Sequence, residues 1–303
     1  MDINLDDVRT FIRLSQAGSF TETASSLGKS QSSVSLQIGR IERQFGLTLI
    51  DRSARPVQLT EAGKLFLQFG THLLNQSVNL ERTFRELASG ISGEVRIGAS
   101  TSVGMYILPS IACPIIAKFP EISIIILSLP QSSVLEAVRT LDADFAFILA
   151  DKPPQDLKTT TLKKEPLWFV SSPDNPVLKQ TPLTMKNLES IPFILGLKGN
   201  QYTGMIERIL QERGVPRVPV VMRIGNYEGM KRAICTGIGV GVLPRFTVQT
   251  EIRDRRLARV LVRGVSLDAN IMLVERCHRL ERPTVGSVKT SLSSAIRSLK
   301  AHA

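Results

Sequence analysis

The stretch GSFTETASSLGKSQSSVSLQIGRIERQFG, Gly18–Gly46, constrains the fold more than any other part of the chain. Ahead of it, LDDVRTFIRLSQA (5–17) places Val8, Phe11, Ile12 and Leu14 at helical spacing, and Gly18 supplies the stop. Ser19 with Glu22 three residues on has the form of a capping box, opening a second helix over 20–27 that ends at Gly28. Ser30 caps a third helix over 31–45, closed by Gly46. Three short helices, the last two separated by a tight turn with glycine, predict a helix-turn-helix.

The third helix has two faces. Val34, Ile38, Ile41 and Phe45 form an apolar stripe that must pack on the first two helices. The opposite side carries Ser32, Leu36, Gly39 and Arg43, with Ser35 and Arg40 on its flanks. Short hydroxyls and a bare glycine let a helix enter a major groove. Gln31 and the hydroxyls can bond base edges or phosphates, while arginines hold the backbone. The plainer alternative is a surface helix that happens to be rich in serine. Residues 47–60, LTLIDRSARPVQLT, read as two short strands (47–50 and 57–59) around a tip with Asp51, Arg52, Arg55 and Pro56. Such a tip is either a wing that reaches a phosphate or a minor groove, or a solvated charged turn.

Thr60 then caps a long helix over 61–89. Leu65, Phe69, Leu73, Leu80, Phe84 and Leu87 fall within a sector of about 100°, with Gln76 in its middle. The first 60 residues hold no core large enough to cover that stripe, so a second copy of the same helix is its natural cover. Gln76 either fixes the register of this seam or is tolerated at a frayed crossing. ASGISG (88–93) is the expected hinge.

From Glu94 the pattern changes to alternating strands and helices. EVRIGAS, a helix over 104–119, ISIIILSL, a helix over 132–141 and DFAFILA have βαβαβ order, which implies a mostly parallel sheet. A second such unit begins near Pro166: WFVSS, a short helix at 185–189, PFILG, a helix over 204–213, PVVMRI, a helix over 228–235, GVGVLP and RRLARVLV. IMLVER and a final helix over 283–300 return to the first unit, giving two lobes with a cleft between them. Ligands of open α/β sheets sit beyond the carboxyl ends of the strands. Those ends carry Ser100, Thr101 and Ser102, then Ser128, Pro130 and Gln131, then Leu149. In the second unit they carry Gly196–Thr203, with Asn200, Tyr202 and Thr203, and Gly225–Tyr227, with Asn226 and Tyr227. Hydroxyls and amides with almost no fixed charge suit a small carboxylate or oxyanion, with Thr101 and Ser102 foremost; routine helix capping is the alternative.

Composition narrows the function classes. The net charge is +11, yet residues 1–60 hold seven Lys/Arg against six Asp/Glu, while 94–303 hold 28 against 18. Charge alone therefore does not nominate the N-terminus as a nucleic-acid reader. It fits either an affinity for anionic small molecules in the larger part or a solvated basic surface. Cys113, Cys235 and Cys277 form no CxxC pair, so neither a disulfide scaffold nor a zinc site is expected; oxidation sensing at Cys235 stays open. The acidic start MDINLDDVRTF and the absence of a long apolar run predict a cytoplasmic protein of bacterial style, with no membrane span. Histidines occur only at 72, 278 and 302, GIGVGV at 237–242 lacks the last glycine of a dinucleotide fingerprint, and neither GxSxG nor a P-loop is present. No enzyme activity, cofactor or metal is expected.

These segments together resemble the LysR-type transcriptional regulators over essentially the whole chain. The resemblance rests on GSF-T, SQ-x-x-VS-x-QI, the I-E-x-x-x-G-x-x-L core, DR and LTEAG between Gly18 and Gly63. It is supported by GEVRIG, Leu108–Pro109, Phe119–Pro120 and the G-x-G-V-x-x-LP-like run at Gly239–Pro244. Ser32 and Ile50 stand where the family usually has proline and phenylalanine, and LPQSS replaces a glycine common after the second effector-domain strand. The resemblance implies an α/β protein with an all-α winged helix-turn-helix domain at 1–60 and a linker and dimerisation helix at 61–91. A two-lobed, periplasmic-binding-protein-like effector domain follows at 92–303, with lobe I at 92–163 and 266–303 and lobe II at 164–265. It implies that Gln31, Ser32, Ser33 and Ser35 face promoter DNA, with Thr21 near the backbone and Arg52 in the wing; Ser30, Leu36, Arg40, Arg43 and Arg55 complete the expected DNA face. The implied partners are inverted-repeat double-stranded DNA, a small anionic coinducer, further copies forming a dimer of dimers, and RNA polymerase. A constitutive or redox-responsive regulator without a coinducer is the alternative, and a free-standing solute-binding protein is disfavoured by the N-terminal motif.

Overall fold

The computed structural model describes residues 3–89, 92–264, 266–277 and 281–299, with 86–89 as backbone only. Leu87 as a side chain, His278, His302 and part of the expected hinge lie outside the described residues. The chain divides into two compact units, the break falling near residue 90.

In the N-terminal unit, α1 (Leu5–Ala17), α2 (Phe20–Leu27) and α3 (Gln31–Phe45) end at Gly18, Gly28 and Gly46, all at positive φ, where a Cβ would be strained. Ser19 Oγ accepts the Glu22 N–H at 3.4 Å, and Ser30 Oγ accepts that of Ser33 at 3.1 Å. Among the described residues the return bond from the Glu22 side chain does not form, so only the serine half of the box is realised. Val34, Ile38 and Ile41 are buried, and Ile38 and Ile41 join Phe11, Leu14, Leu49 and Ile50 in the core. The helix α4 (Glu61–Ser89) brings Phe66 onto Phe11 edge-to-face, with centroids 4.9 Å apart. It packs that closely because residue 63 is glycine; a Cβ there would fall 2.1 Å from the Leu49 carbonyl oxygen.

The wing strands are shorter than the sequence suggests. β1 (Ile50–Asp51) and β2 (Gln58–Leu59) pair antiparallel over two residues each. Glu42 explains the shortening: its Oε1 accepts the amides of Leu49 and Ile50, at 2.9 and 3.2 Å, and Leu47 N–H closes α3 on the Glu42 carbonyl.

The second unit holds one seven-stranded sheet built of β3 (Gly93–Ser100), β4 (Ile122–Leu129), β5 (Phe145–Ala150), β6 (Lys158–Ser171), β9 (Gly241–Pro244), β10 (Ala258–Val260) and β11 (Leu267–Glu275). Their order is β10-β6-β11-β5-β3-β4, with β9 also on β6. Separate from it, β7 (Phe193–Leu195) and β8 (Val220–Arg223) pair parallel. The expected parallel order holds for β3, β4 and β5, whereas β6, β9, β10 and β11 pair antiparallel, so the sheet is mixed. Pro166 does not open a new strand. β6 starts eight residues earlier and runs through it, since the fixed φ of proline and its push on the preceding residue both suit extended chain.

The helices are α5 (Thr101–Tyr106), α6 (Leu108–Lys118), α7 (Gln131–Arg139), α8 (Gln201–Glu212), α9 (Tyr227–Cys235), α10 (Arg245–Arg253) and α11 (Pro283–Ser298). The single helix expected over 104–119 is two, broken at Ile107 just before Pro109, whose missing N–H suits a helix start. The short helix expected at 185–189 is a 3₁₀ turn over Met185–Ser190. Arg282, almost fully buried, donates to Asp144 and to the Glu94 carbonyl, holding the start of α11 onto β3 and β5.

Candidate nucleic-acid interface and effector cleft

On α3, Gln31, Ser32, Leu36 and Arg43 are exposed and Ser33 and Ser35 half-buried, while Thr21 on α2 and Arg52 and Arg55 in the wing are exposed. Leu36 is 61% exposed, so the predicted outer face is free of the unit's own core. Around it the surface forms two hollows. One, of about 820 Å³, lies between α3 and the wing and is lined by Ser32, Ser35, Leu36, Gly39, Arg43 and Arg52. The other, of about 690 Å³, lies beside the start of α2 and is lined by Thr21, Gln31, Arg52 and Arg55 among others.

Arg52 is held in place from three sides: it donates to Ser35 Oγ (3.3 Å), pairs with Glu42 (3.2 Å) and stacks over the Phe20 ring at 5.3 Å. Thr21 Oγ1 reaches Gln31 at 3.5 Å, Ser30 Oγ meets Ser32 Oγ at 2.9 Å, and Arg43 Nε donates to the Gly39 carbonyl. Arg40 differs from expectation. Its guanidinium is engaged by buried Asp7, Nε and NH2 at 2.9 and 2.6 Å, as part of a network with Gln37, Lys29, Thr10 and Asp6. Burial pushes the Asp7 carboxyl upward, but hydrogen bonds from Arg40 and Gln37 outweigh it and hold it below the usual carboxylate range. The sequence signal for this was a pair of acids, Asp6 and Asp7, on a first helix otherwise built for packing.

Along α4, Leu65, Phe69, Leu80 and Phe84 are more than half exposed and Leu73 is 39% exposed. Gln76 bonds His72, one turn away on its own helix, at 3.3 Å. An almost wholly apolar hollow of about 330 Å³, lined by Val8, Phe45, Leu49, Leu65, Phe69 and Leu73, continues the stripe onto the helical domain. Exposed apolar surface of this kind is unusual outside interaction sites.

In the second unit the strand-end residues come together, but most of their hydroxyls are already bonded. Buried Ser100 accepts the Leu149 N–H at 3.1 Å, and Thr101 Oγ1 donates to the Leu129 carbonyl at 3.4 Å. Ser102, 2% exposed, hydrogen-bonds Tyr227. Asn200 and Asn226 cap α8 and α9, accepting the amides of Tyr202 and Gly229. The Tyr202 hydroxyl donates to the Val242 carbonyl, and its ring meets that of Tyr227 edge-to-face at 5.5 Å. Burial pushes both tyrosine hydroxyls well above their ordinary range. Ser128 and Pro130 are exposed and Gln131 half-buried. Thr203 is the exception: its buried Oγ1 has no hydrogen-bond partner and lies against Gly196, where a Cβ would fall 2.2 Å from it.

Sequence reasoning missed the charged part of this region. Tyr106 donates to the Glu228 carboxylate, and Lys231, its Nζ 4.9 Å from the Tyr106 ring centroid, pairs with Glu228 and with Glu251. Arg208 of α8 pairs with Asp151 beyond β5, and buried Glu165 accepts the Phe246 N–H beside Arg245. One signal was available, since the chain has only three tyrosines and all three lie here.

Residues 5–64 match the bacterial regulatory helix-turn-helix protein family of lysR type, and residues 88–295 match the LysR substrate binding domain. The chain belongs to the LysR family. Among curated relatives of this LysR-family regulator is the uncharacterized HTH-type transcriptional regulator YeiE of Escherichia coli K12. It is 28% identical over 262 residues, covering 86% of this chain and 87% of YeiE. A full-length cysteine-to-aspartate variant of OxyR from Pseudomonas aeruginosa has the same fold, with a TM-score of 0.72 at 20% identity, covering 98% of this chain and 96% of that one. So has full-length CbnR complexed with its target DNA, with a TM-score of 0.72 at 15% identity, covering 97% of this chain and 100% of that one. This LysR-family chain is therefore a DNA-binding transcriptional regulator with an effector-binding domain, in a family of regulators rather than enzymes. Among its described residues no helix is long and apolar enough to cross a membrane, and no cluster of three or more His, Cys, Asp or Glu could hold a metal ion.

Proposed function

We propose that this regulator reads promoter-proximal inverted repeats in the cytoplasm, with α3 in the major groove and the wing on the adjoining backbone. Gln31, Ser32, Ser33, Ser35 and Leu36 contact bases, and Arg43, Arg52 and Arg55 contact phosphates, with Thr21 and Ser30 at the groove edge. Arg40, committed to Asp7, sets the angle of α3 instead. The observation that carries the reading is the exposed hydroxyl-and-leucine face of α3 beside an Arg52 fixed by Ser35, Glu42 and Phe20. Two chains pair through Leu65, Phe69, Leu73, Gln76, Leu80 and Phe84 of α4, and two such dimers form the working tetramer.

A small anionic coinducer enters the cleft at Thr101, Ser102, Thr203 and Tyr227, the unpartnered Thr203 hydroxyl offering a free donor. It shifts the balance between assemblies that space the DNA readers differently, and so changes DNA bending and recruitment of RNA polymerase. A differential affinity worth about 1–3 kcal/mol suffices for this coupling.

A second reading is favoured by the inward bonding of Ser100, Thr101 and Ser102, namely a constitutive regulator whose cleft takes no effector. A redox role draws less support, because burial pushes the Cys235 thiol up, away from the reactive thiolate. Sequencing of genomic fragments bound by the wild type and by a Ser32→Ala/Ser35→Ala/Arg43→Ala variant tests the DNA reading. Enrichment of a few inverted repeats, lost in the variant, is the expected result; equal enrichment by both would remove α3 from the interface. Repeating it with candidate anions separates the two effector readings, since a constitutive regulator keeps the same sites and footprint.

A further inference from the structure

Beside the charged group of the strand-end cleft, lobe II has a hollow of about 640 Å³ between α9, the end of α10 and the turn after β6, lined also by Glu228 and Glu251. Four cations line it: Lys231, Arg232, Arg255 and Arg256. Their acidic neighbours are already committed. Glu228 and Glu251 grip Lys231 at 2.7 and 2.8 Å, and Arg256 reaches Glu251 and Asp254 only loosely, at 3.6 and 3.9 Å. The guanidinium groups of Arg232 and Arg255 make no hydrogen bond or ion pair within 4 Å among the described residues, Arg232 feeling only the more distant charge of Glu228, and the remaining acid, Asp174, sits on the exposed rim. Arg255 stands at φ 56°, in the left-handed turn that closes α10, where the Arg255 and Arg256 amides bond the Ile252 and Glu251 carbonyls.

We propose that this hollow is a second small-molecule site, taking a compact oxyanion of two or more charges, of the phosphate or carboxylate class. Arg232, Arg255 and Arg256 bind its oxygens as charge-assisted donors, and arginine forks suit such groups geometrically. The site is wired to the cleft through Lys231. That ammonium touches the hollow, holds Glu228 and covers Tyr106, while Glu228 accepts the Tyr106 hydroxyl. An anion that draws on Lys231 therefore loosens the Tyr106–Glu228 contact, giving a metabolite signal independent of the coinducer.

Calorimetric titration of the full-length protein with pyrophosphate, and separately with citrate, tests this. The comparison variants are Arg232→Glu/Arg255→Glu, Arg255→Gly and, in the cleft, Ser102→Ala. The expected result is saturable binding of at least one probe, weakened about tenfold or more by the double variant and severalfold by Arg255→Gly, and unchanged by Ser102→Ala. Glycine relieves the positive φ, so Arg255→Gly should melt no lower than wild type, and about 2 °C higher if the strain is fully released. The two probes distinguish phosphate from carboxylate preference. Absence of saturable binding by both probes would overturn the proposal. So would binding that survives the double variant, which would put the anion on the DNA-facing arginines, or binding lost only in Ser102→Ala, which would put it in the cleft.

Discussion

The two units of this regulator hold their hydroxyl groups in opposite ways. On α3, Ser32 is exposed and Ser35 half-buried, their hydroxyls bonded only to Ser30 and to the wing's Arg52. At the strand ends of the second unit, Ser100, Thr101 and Ser102 turn their hydroxyls onto Leu149, Leu129 and Tyr227. A surface that must meet DNA gains by being fixed in advance, because little ordering remains to be done on contact. A site that must respond to a ligand gains by having two states, and internal bonds that a ligand can replace provide them. On the proposed function, the same residue type serves as a ready reader in one place and as a latch in the other.

The largest effect that bears on this contrast concerns the proposed assembly, in which paired chains present two copies of α3. Leu73→Asp places a charge in the exposed stripe of α4 and should weaken self-association by about 3 kcal/mol, on the order of a hundredfold, read by sedimentation velocity. A variant that sediments like wild type would move the seam off α4. Next comes Glu42→Ala, which leaves the Leu49 and Ile50 amides without their charged acceptor and frees Arg52. A loss of about 2–3 kcal/mol in the stability of the N-terminal unit is expected in urea, with weaker DNA binding. If stability fell but affinity held, the wing would not be part of the fixed surface. Arg43→Ala is smaller and more diagnostic. Affinity should fall for every DNA sequence alike, and the salt slope should shrink by about one unit, because one phosphate contact is lost. An unchanged slope would take Arg43 out of the interface.

The helical unit is legible in the sequence because its signals are local. Ser19, Ser30 and Thr60 cap helices as their positions require, and the glycine stops fall where the helices end. Legibility falters where a residue's partner is remote in sequence. By spacing alone Arg40 reads as a phosphate contact, yet Asp7, 33 residues earlier, holds it. Pro166 reads as a boundary, yet β6 passes through it because its partner β11 lies about a hundred residues later. In the effector unit, spacing locates the strand ends and so Ser102 and Thr203, but not the groups that face them. Tyr106 and Glu228 are 122 residues apart, and no periodicity connects them.

The smallest expected effect tests the latch itself. Tyr227→Phe removes one oxygen and keeps the ring that meets Tyr202 edge-to-face. Ser102, buried on α5, then loses its partner, which costs about 1 kcal/mol. If that bond helps hold the cleft shut, amide exchange around 100–106 and 226–232 should quicken about fivefold, the factor to which 1 kcal/mol corresponds. The salt slope of DNA binding should stay as in wild type, since no phosphate contact proposed for α3 or the wing involves this bond. Unchanged exchange would mean that the hydroxyls of the cleft are structural caps rather than a latch. The contrast between the units would then be one of exposure alone, and the constitutive reading would gain.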